Sequence, residues 1–123
     1  IEADKYGCWV FYPWKYSLVH LLPEEDFVRV RTLRNHYKIT PSEQLELSKK
    51  KIGIIGLSVG QSIALTMALE RSCGEMRLAD FDTLELSNLN RLKAGVTSLG
   101  VEKLVIAARE ISEIDPFIKL TLY

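Results

Sequence analysis

The sequence predicts an α/β fold: a mostly parallel sheet with helices on both faces, preceded by an N-terminal β-hairpin and helix. Three observations predict it. Ile52-Gly53-Ile54-Ile55 is a continuous apolar run, as in a parallel strand covered on both faces, not one alternating between core and water. Gly56-Leu57-Ser58-Val59-Gly60 follows as a glycine-containing turn and leads into a helix-like stretch over 61–71. Met76–Ala79 is a second short apolar run, and it ends on Asp80 and Asp82. A strand, a glycine turn, a helix and a strand ending on acids form the unit with which α/β proteins hold nucleotides at the carboxyl edge of a sheet.

Composition narrows the classes. A chain of 123 residues, 47% hydrophobic, suits one small domain with a real core. Sixteen basic residues balance sixteen acidic ones, so no bulk electrostatic grip on nucleic acid or an anionic membrane is expected. No apolar run approaches the roughly 20 residues of a membrane span. The start, Ile1-Glu2-Ala3-Asp4-Lys5, lacks the layout of a secretion signal and an initiator Met, so an internal piece of a longer, cytoplasmic protein is expected. Cys8 and Cys73 form no Cys-x-x-Cys pair, and both read as small buried hydrophobes outside any zinc site or disulfide.

In chain order, Trp9–Tyr12 and Ser17–Leu22 are β-branched and aromatic around a Pro13–Tyr16 turn, which predicts a hairpin. Only Lys15 interleaves its aromatics with positive charge, so packing against the main domain is expected instead of base stacking. Pro23-Glu24-Glu25-Asp26 opens a helix carrying Arg29, Arg31 and Arg34, read either as a solvated face or as a reach toward phosphate. Thr40-Pro41-Ser42-Glu43 starts a second helix, with Leu45 and Leu47 as its apolar positions. Ile63, Leu65, Met67, Ala68 and Leu69 mark the next helix as largely buried, ended by Gly74 in a left-handed cap. Gly100 to Lys103 starts a long helix with Val105, Ile106, Ala108 and Ile111, stopping before Asp115-Pro116, and Phe117–Tyr123 reads as a third strand.

The turn itself admits two chemistries. As Gly-x-Ser-x-Gly it matches the nucleophile elbow of a serine hydrolase, although the only histidines, His20 and His36, precede Ser58. As a nucleotide turn, Gly56 and Gly60 let the backbone approach phosphate, with Ser58 where a second glycine is usual and Gln61 after an early Gly60. The second strand favours the nucleotide. Asp80 lies 24 positions after Gly56, near the offset of about 20 at which a carboxylate meets ribose hydroxyls.

Asp80-Phe81-Asp82-Thr83-Leu84-Glu85-Leu86-Ser87-Asn88-Leu89-Asn90-Arg91 resembles the Asp-x-Asp-x-Val-x-x-Ser-Asn-Leu-x-Arg signature of the ThiF/MoeB-type adenylyltransferases, whose fold the ubiquitin-activating enzymes share. The similarity runs from about Arg31 to the end, and extends to bacterial proteins that join such a domain to a nitroreductase-like one. What the resemblance implies is a Rossmann-like domain over 36–123, cut short at its C-terminus, with residues 1–35 as an N-terminal extension. It implies ATP and Mg²⁺ as cofactors and an acyl-adenylate formed on a carboxylate, typically the C-terminus of a ubiquitin-like or sulfur-carrier protein. Gly56, Ser58, Gly60, Asp80, Asp82, Asn88, Arg91 and Lys103 would then bind the nucleotide. Asp80 would take the ribose, and Asn88, Arg91 and Lys103 the phosphates, with Arg91 and Lys103 also stabilising charge on the leaving pyrophosphate. An arginine from the N-terminal segment, Arg31 with Arg34 as its rival, would reach the phosphates across a homodimer. Asp82 reads more readily as a turn cap than as a metal ligand, and Asn88 and Asn90 can serve simply to close a turn. The catalytic aspartate, and any zinc pair or thioester cysteine, are expected beyond Tyr123. The alternative is a degenerate nucleotide-binding or dimerisation module without chemistry.

Overall fold

The apolar runs at 52–55 and 76–79 become neighbouring parallel strands, and the sheet they begin carries the second of two structural units. The structure, a computed structural model, describes residues 2–123. Its two units are Ile1–Pro41 and Ser42–Tyr123.

In the first unit, β1 (Cys8–Tyr12) and β2 (Ser17–Leu21) pair antiparallel, with Trp9 opposite His20 and Phe11 opposite Leu18. The connection is a 3₁₀ turn, Pro13–Lys15, closed by Tyr16 in the left-handed region at φ 51°. Burial of the hairpin aromatics holds only for Tyr12. Trp9 and Tyr16 stay exposed because their partners lie within the hairpin: Trp9 stacks on His20, and Phe11 meets Tyr16 edge-on. Helix α1 (Glu24–Thr32) begins after Pro23 with three acids in its first turn, where the helix dipole favours them, and runs on as 3₁₀ over Leu33–Tyr37. Tyr6 donates a hydrogen bond to Asp26, which also accepts from Arg29 at 2.7 Å.

The second unit continues from α2 (Pro41–Ser48) through β3 (Lys51–Ile55), α3 (Gly60–Glu70), β4 (Glu75–Ala79), α4 (Lys103–Ile114) and β5 (Lys119–Leu122). The three strands are parallel in the order β3-β4-β5, with Ile52, Met76 and Leu120 in register. Among the described residues β4 lies between β3 and β5. Coverage of β3 on both faces is not seen among them, for Ile55 is 90% exposed. Right-handed crossovers that step the same way along a sheet put their helices on the same side. Ile54, Met76 and Leu78 accordingly share one core with Ala64 and Ala68 of α3 and Leu104, Ala107 and Ile111 of α4.

The packed stripe of α3 differs from the expected one. Gly60, Gln61, Ala64 and Ala68 are its buried residues, while Ile63 and Leu69 are exposed. Small residues let the helix lie close to the sheet, so bulk is turned outward. On α2, likewise, Gln44 is buried and Leu45 exposed, because the Gln44 amide donates to the Arg71 carbonyl at 3.1 Å. That carbonyl follows α3, whose left-handed cap is Arg71 (φ 53°) and not Gly74. Gly74 instead passes within contact of the Ser48 carbonyl, leaving no room for a Cβ.

The Arg71 side chain pairs with Asp115, which is fully buried, at 2.9 Å, and Asp115 also accepts from the Phe117 amide. On the other face of the sheet, Glu75 accepts from Arg77 at 3.0 Å, with Lys51 and Lys119 each at 3.9 Å. The hydrogen bond from Arg77, helped by the charges of Lys119, Arg77 and Lys51, holds the Glu75 carboxyl below its ordinary value despite desolvation that raises it.

Two outcomes follow for stability. Asp115→Ala leaves Arg71 buried without its partner and lowers the unfolding free energy by about 3–5 kcal/mol in urea titrations, whereas the apolar pair Arg71→Met with Asp115→Leu recovers most of it. A depressed folded-state value for Glu75 means stability that is present above the ordinary carboxyl range and lost as pH falls through it. Urea midpoints should drop below about pH 4.5, and Glu75→Gln should flatten that drop.

Candidate nucleotide site

The site is built where β3 and β4 end. Gly56 leaves the sheet at φ +83°, a conformation that disfavours any side chain, while its amide still donates to the Ala79 carbonyl at 2.8 Å. The next residue, Leu57, is fully buried and anchors the turn in the core. Its amide donates to Asp80 Oδ2 at 2.6 Å, and Asp80 Oδ1 accepts from the Asp82 amide at 2.7 Å. One carboxylate thus clamps the turn after β3 to the loop after β4. Each oxygen keeps a second acceptor direction for a ligand hydroxyl.

Gly60 opens α3, and a Cβ there would stand 2.7 Å from Ile54 Cγ2. Its bareness serves the helix–strand contact. Gln61 behind it is 4% exposed, and its amide donates to Glu110 at 2.9 Å and to the Lys93 carbonyl at 3.3 Å. Sequence reasoning treated Gln61 only as an irregularity of the turn. No local signal marks it, since the helix opens Gly60-Gln61-Ser62 and its partners Glu110 and Lys93 are remote in sequence.

Lys103 is the first residue of α4 and only 4% exposed. An ammonium is disfavoured there twice, by burial and by the positive end of the helix dipole. Asp82 compensates: Lys103 Nζ lies 3.1 Å from Asp82 Oδ2 and 3.5 Å from Ser58 Oγ. The backbone enforces this meeting. The Lys103 amide donates to the Asp82 carbonyl at 2.9 Å, Thr83 bridges Glu102, and the Leu84 amide donates to the Val101 carbonyl.

The signature loop closes on itself over a 3₁₀ turn, Leu86–Asn90. Asn88 is buried and accepts the Glu85 amide at 2.9 Å, while the Glu85 side chain accepts the Asn88 amide in return. Asn88 is therefore a cap first. Arg91 is exposed, its guanidinium resting on Asn90 Oδ1 at 2.9 Å and the Ser87 carbonyl at 3.4 Å.

These residues border three adjoining hollows. The first, about 470 Å³, is lined by Gly56, Ser58, Asp80 and Asp82, with Ile55, Val59, Phe81 and Tyr123 as apolar wall. A second, about 290 Å³, holds Asp82, Asn88 and Lys103, and a third, about 220 Å³, holds Ser58, Gln61 and Arg91. Asp82 and Ser58 are shared borders, so the hollows run along one edge. Of the residues expected here, Gly56, Ser58, Asp80, Asp82, Asn88, Arg91 and Lys103 come together. Arg31, half-buried, belongs to the first unit, on α1, where its buried Nε has no hydrogen-bond partner among the described residues.

Ser58 does not have the strained backbone of a nucleophile elbow. Positive φ among the described non-glycine residues is confined to Tyr16 and Arg71, and the Ser58 hydroxyl meets an ammonium, not an imidazole.

Residues 31–123 match the ThiF family. An uncharacterized protein of Mycobacterium tuberculosis is 47% identical over 114 residues, which cover 93% of this chain and 16% of that protein. The adenylyltransferase and sulfurtransferase MOCS3 of Dictyostelium discoideum is 32% identical over 111 residues, covering 89% of this chain and 26% of its own length. The chain thus spans about a sixth to a quarter of these relatives. Among solved structures, the E. coli tRNA N6-threonylcarbamoyladenosine dehydratase TcdA superposes with a TM-score of 0.72 at 24% identity, over 77% of this chain and 40% of that one. E. coli MccB, solved with ATP, superposes at 0.68 with 26% identity, over 76% and 30%. The Rossmann-like fold is common to them.

The Asp80 clamp has a direct readout. Asp80→Asn keeps one acceptor oxygen for two amides, so hydrogen exchange at Leu57 or Asp82 should quicken by about tenfold, with strand amides of β3 and β4 changing less. Equal quickening throughout the sheet would show that Asp80 does not act as a local clamp.

Proposed function

Because the chain belongs to the ThiF family, we propose that residues 42–123 bind ATP along the carboxyl edge of the sheet and that the longer protein uses it to adenylate a carboxylate. The observation that carries this reading is Asp80. It stands at the end of β4, held by two loop amides, beside a cleft of about 470 Å³, within the usual range of about 300–1,000 Å³ for ligand pockets. The ribose hydroxyls would donate to Asp80, and the apolar wall of Ile55, Val59 and Phe81 would cover the base. Arg91 and Lys103, bordering the next hollows along the edge, would meet the triphosphate, with Asn88 beside Lys103.

In the reaction, a carboxylate oxygen attacks the α-phosphorus. A new O–P bond forms as the bond to pyrophosphate breaks, and the cationic groups stabilise the departing charge. Among the described residues no three His, Cys, Asp or Glu side chains group to hold a metal. Mg²⁺, an ion that keeps few protein ligands, would in this proposal be bound together with the nucleotide and supply positive charge there. The carboxylate is proposed to be the C-terminus of a ubiquitin-like or sulfur-carrier protein, and the protein a homodimer in which Arg31, or Arg34, reaches the phosphates. No helix among the described residues is long and apolar enough to cross a membrane.

One observation favours the second reading, a nucleotide-binding module without chemistry. Ser58 stands in the phosphate turn and, with Asp82, already occupies the Lys103 ammonium. Two measurements on the longer protein separate the readings. Calorimetry with ATP-Mg²⁺ should show binding that Asp80→Ala and Arg91→Ala each weaken by about tenfold or more; no binding at millimolar ATP would sink the nucleotide site. ATP–pyrophosphate exchange in the presence of a carrier protein should then proceed, and its absence across carriers would leave the binding module.

A further inference from the structure

We infer that Asp82 is a positioning residue for Lys103 and not a ligand of the nucleotide: with Ser58 it holds a buried ammonium at the edge of the site, aimed where the phosphates of ATP would lie. The inference rests on the nucleotide reading above and assigns a role within it. Its observations are local. Lys103 is 4% exposed, while the Asp82 side chain is 53% exposed. The buried partner is therefore the cation, and the carboxylate reaches in from the solvent side. Asp82 Oδ2 lies 3.1 Å from Nζ, and Ser58 Oγ accepts a longer contact at 3.5 Å.

Three elements converge on this ammonium: the turn after β3 through Ser58, the loop after β4 through Asp82, and α4, which supplies Lys103 itself. An ammonium has three donors. Asp82 and Ser58 occupy two, which leaves one for a phosphate oxygen. A lysine chain of four methylenes is otherwise free to rotate, and holding it beforehand removes an entropy cost from binding. Ser58 acquires a reason here as well. A glycine at that position would leave the ammonium with Asp82 alone, whereas the hydroxyl ties Lys103 to the turn after β3.

The test is calorimetry on the longer protein with ATP and, separately, adenosine, for wild type, Asp82→Ala, Asp82→Glu, Lys103→Ala and the double variant. Adenosine has the ribose and base but no phosphate. Asp82→Ala should weaken ATP by about tenfold and leave adenosine within about twofold, Asp82→Glu should restore part of the loss, and the double variant should bind ATP no more weakly than Lys103→Ala alone. A loss shared equally by ATP and adenosine, or losses that multiply in the double variant, would overturn the inference while leaving the nucleotide site standing. Absence of ATP binding in the wild type would remove both. Asp80→Ala serves as the contrast, since it should weaken adenosine and ATP alike.

Discussion

A buried lysine ammonium at the start of a helix is the constraint around which the site is arranged. Lys103 has left water at the end of α4 where the dipole opposes a positive charge. Such a group persists only with a close carboxylate. Asp82 supplies it, and the loop carrying Asp82 must then lie against the start of α4. The backbone bonds from Lys103 to Asp82 and from Leu84 to Val101 are how the chain keeps it there. Because Asp80 is two residues upstream and bonded to the Leu57 amide, the turn after β3 is brought into the same assembly. A buried charge has set the path of two loops.

The strand–turn–helix–strand unit was legible because its signals are local. A continuous apolar run at 52–55 and a mostly apolar one at 76–79 make strands, a glycine at 56 makes the turn, and acids at the end of β4 mark the carboxyl edge. What composition and period did not reveal was which side of each element faces the sheet. Ile63 and Leu69 are apolar yet exposed, and Gln61 and Gln44 are polar yet buried. In each case a contact remote in sequence decides: Gln61 with Glu110 on α4, and Gln44 with the carbonyl of Arg71.

The acid-to-arginine loop shows a second kind of limit. Its motif marked Asp80, Asp82, Asn88 and Arg91 as a set, and the structure does gather them. Their roles differ in a way the spacing does not contain. Asp80 and Asn88 spend side-chain oxygens on backbone amides. Asp82 spends its own on Lys103 from the solvent side, and the exposed Arg91 rests on Asn90 and the Ser87 carbonyl. Residues of one motif therefore divide into those whose side chains hold the loop backbone and those that pair with other side chains or lie at the surface.

That division bears on how the irregular glycine turn should be weighed. A second glycine in such a turn leaves backbone amides open to phosphate, and its replacement by serine reads at first as a loss. Ser58 shows no left-handed strain, and its hydroxyl points at Lys103 instead of closing over the amides. The turn also keeps the features that depend on glycine geometry, the positive φ at Gly56 and the close approach of Gly60 to Ile54. A side chain added without disturbing either feature, and directed to the one buried cation of the site, is better understood as part of the cradle than as damage to it.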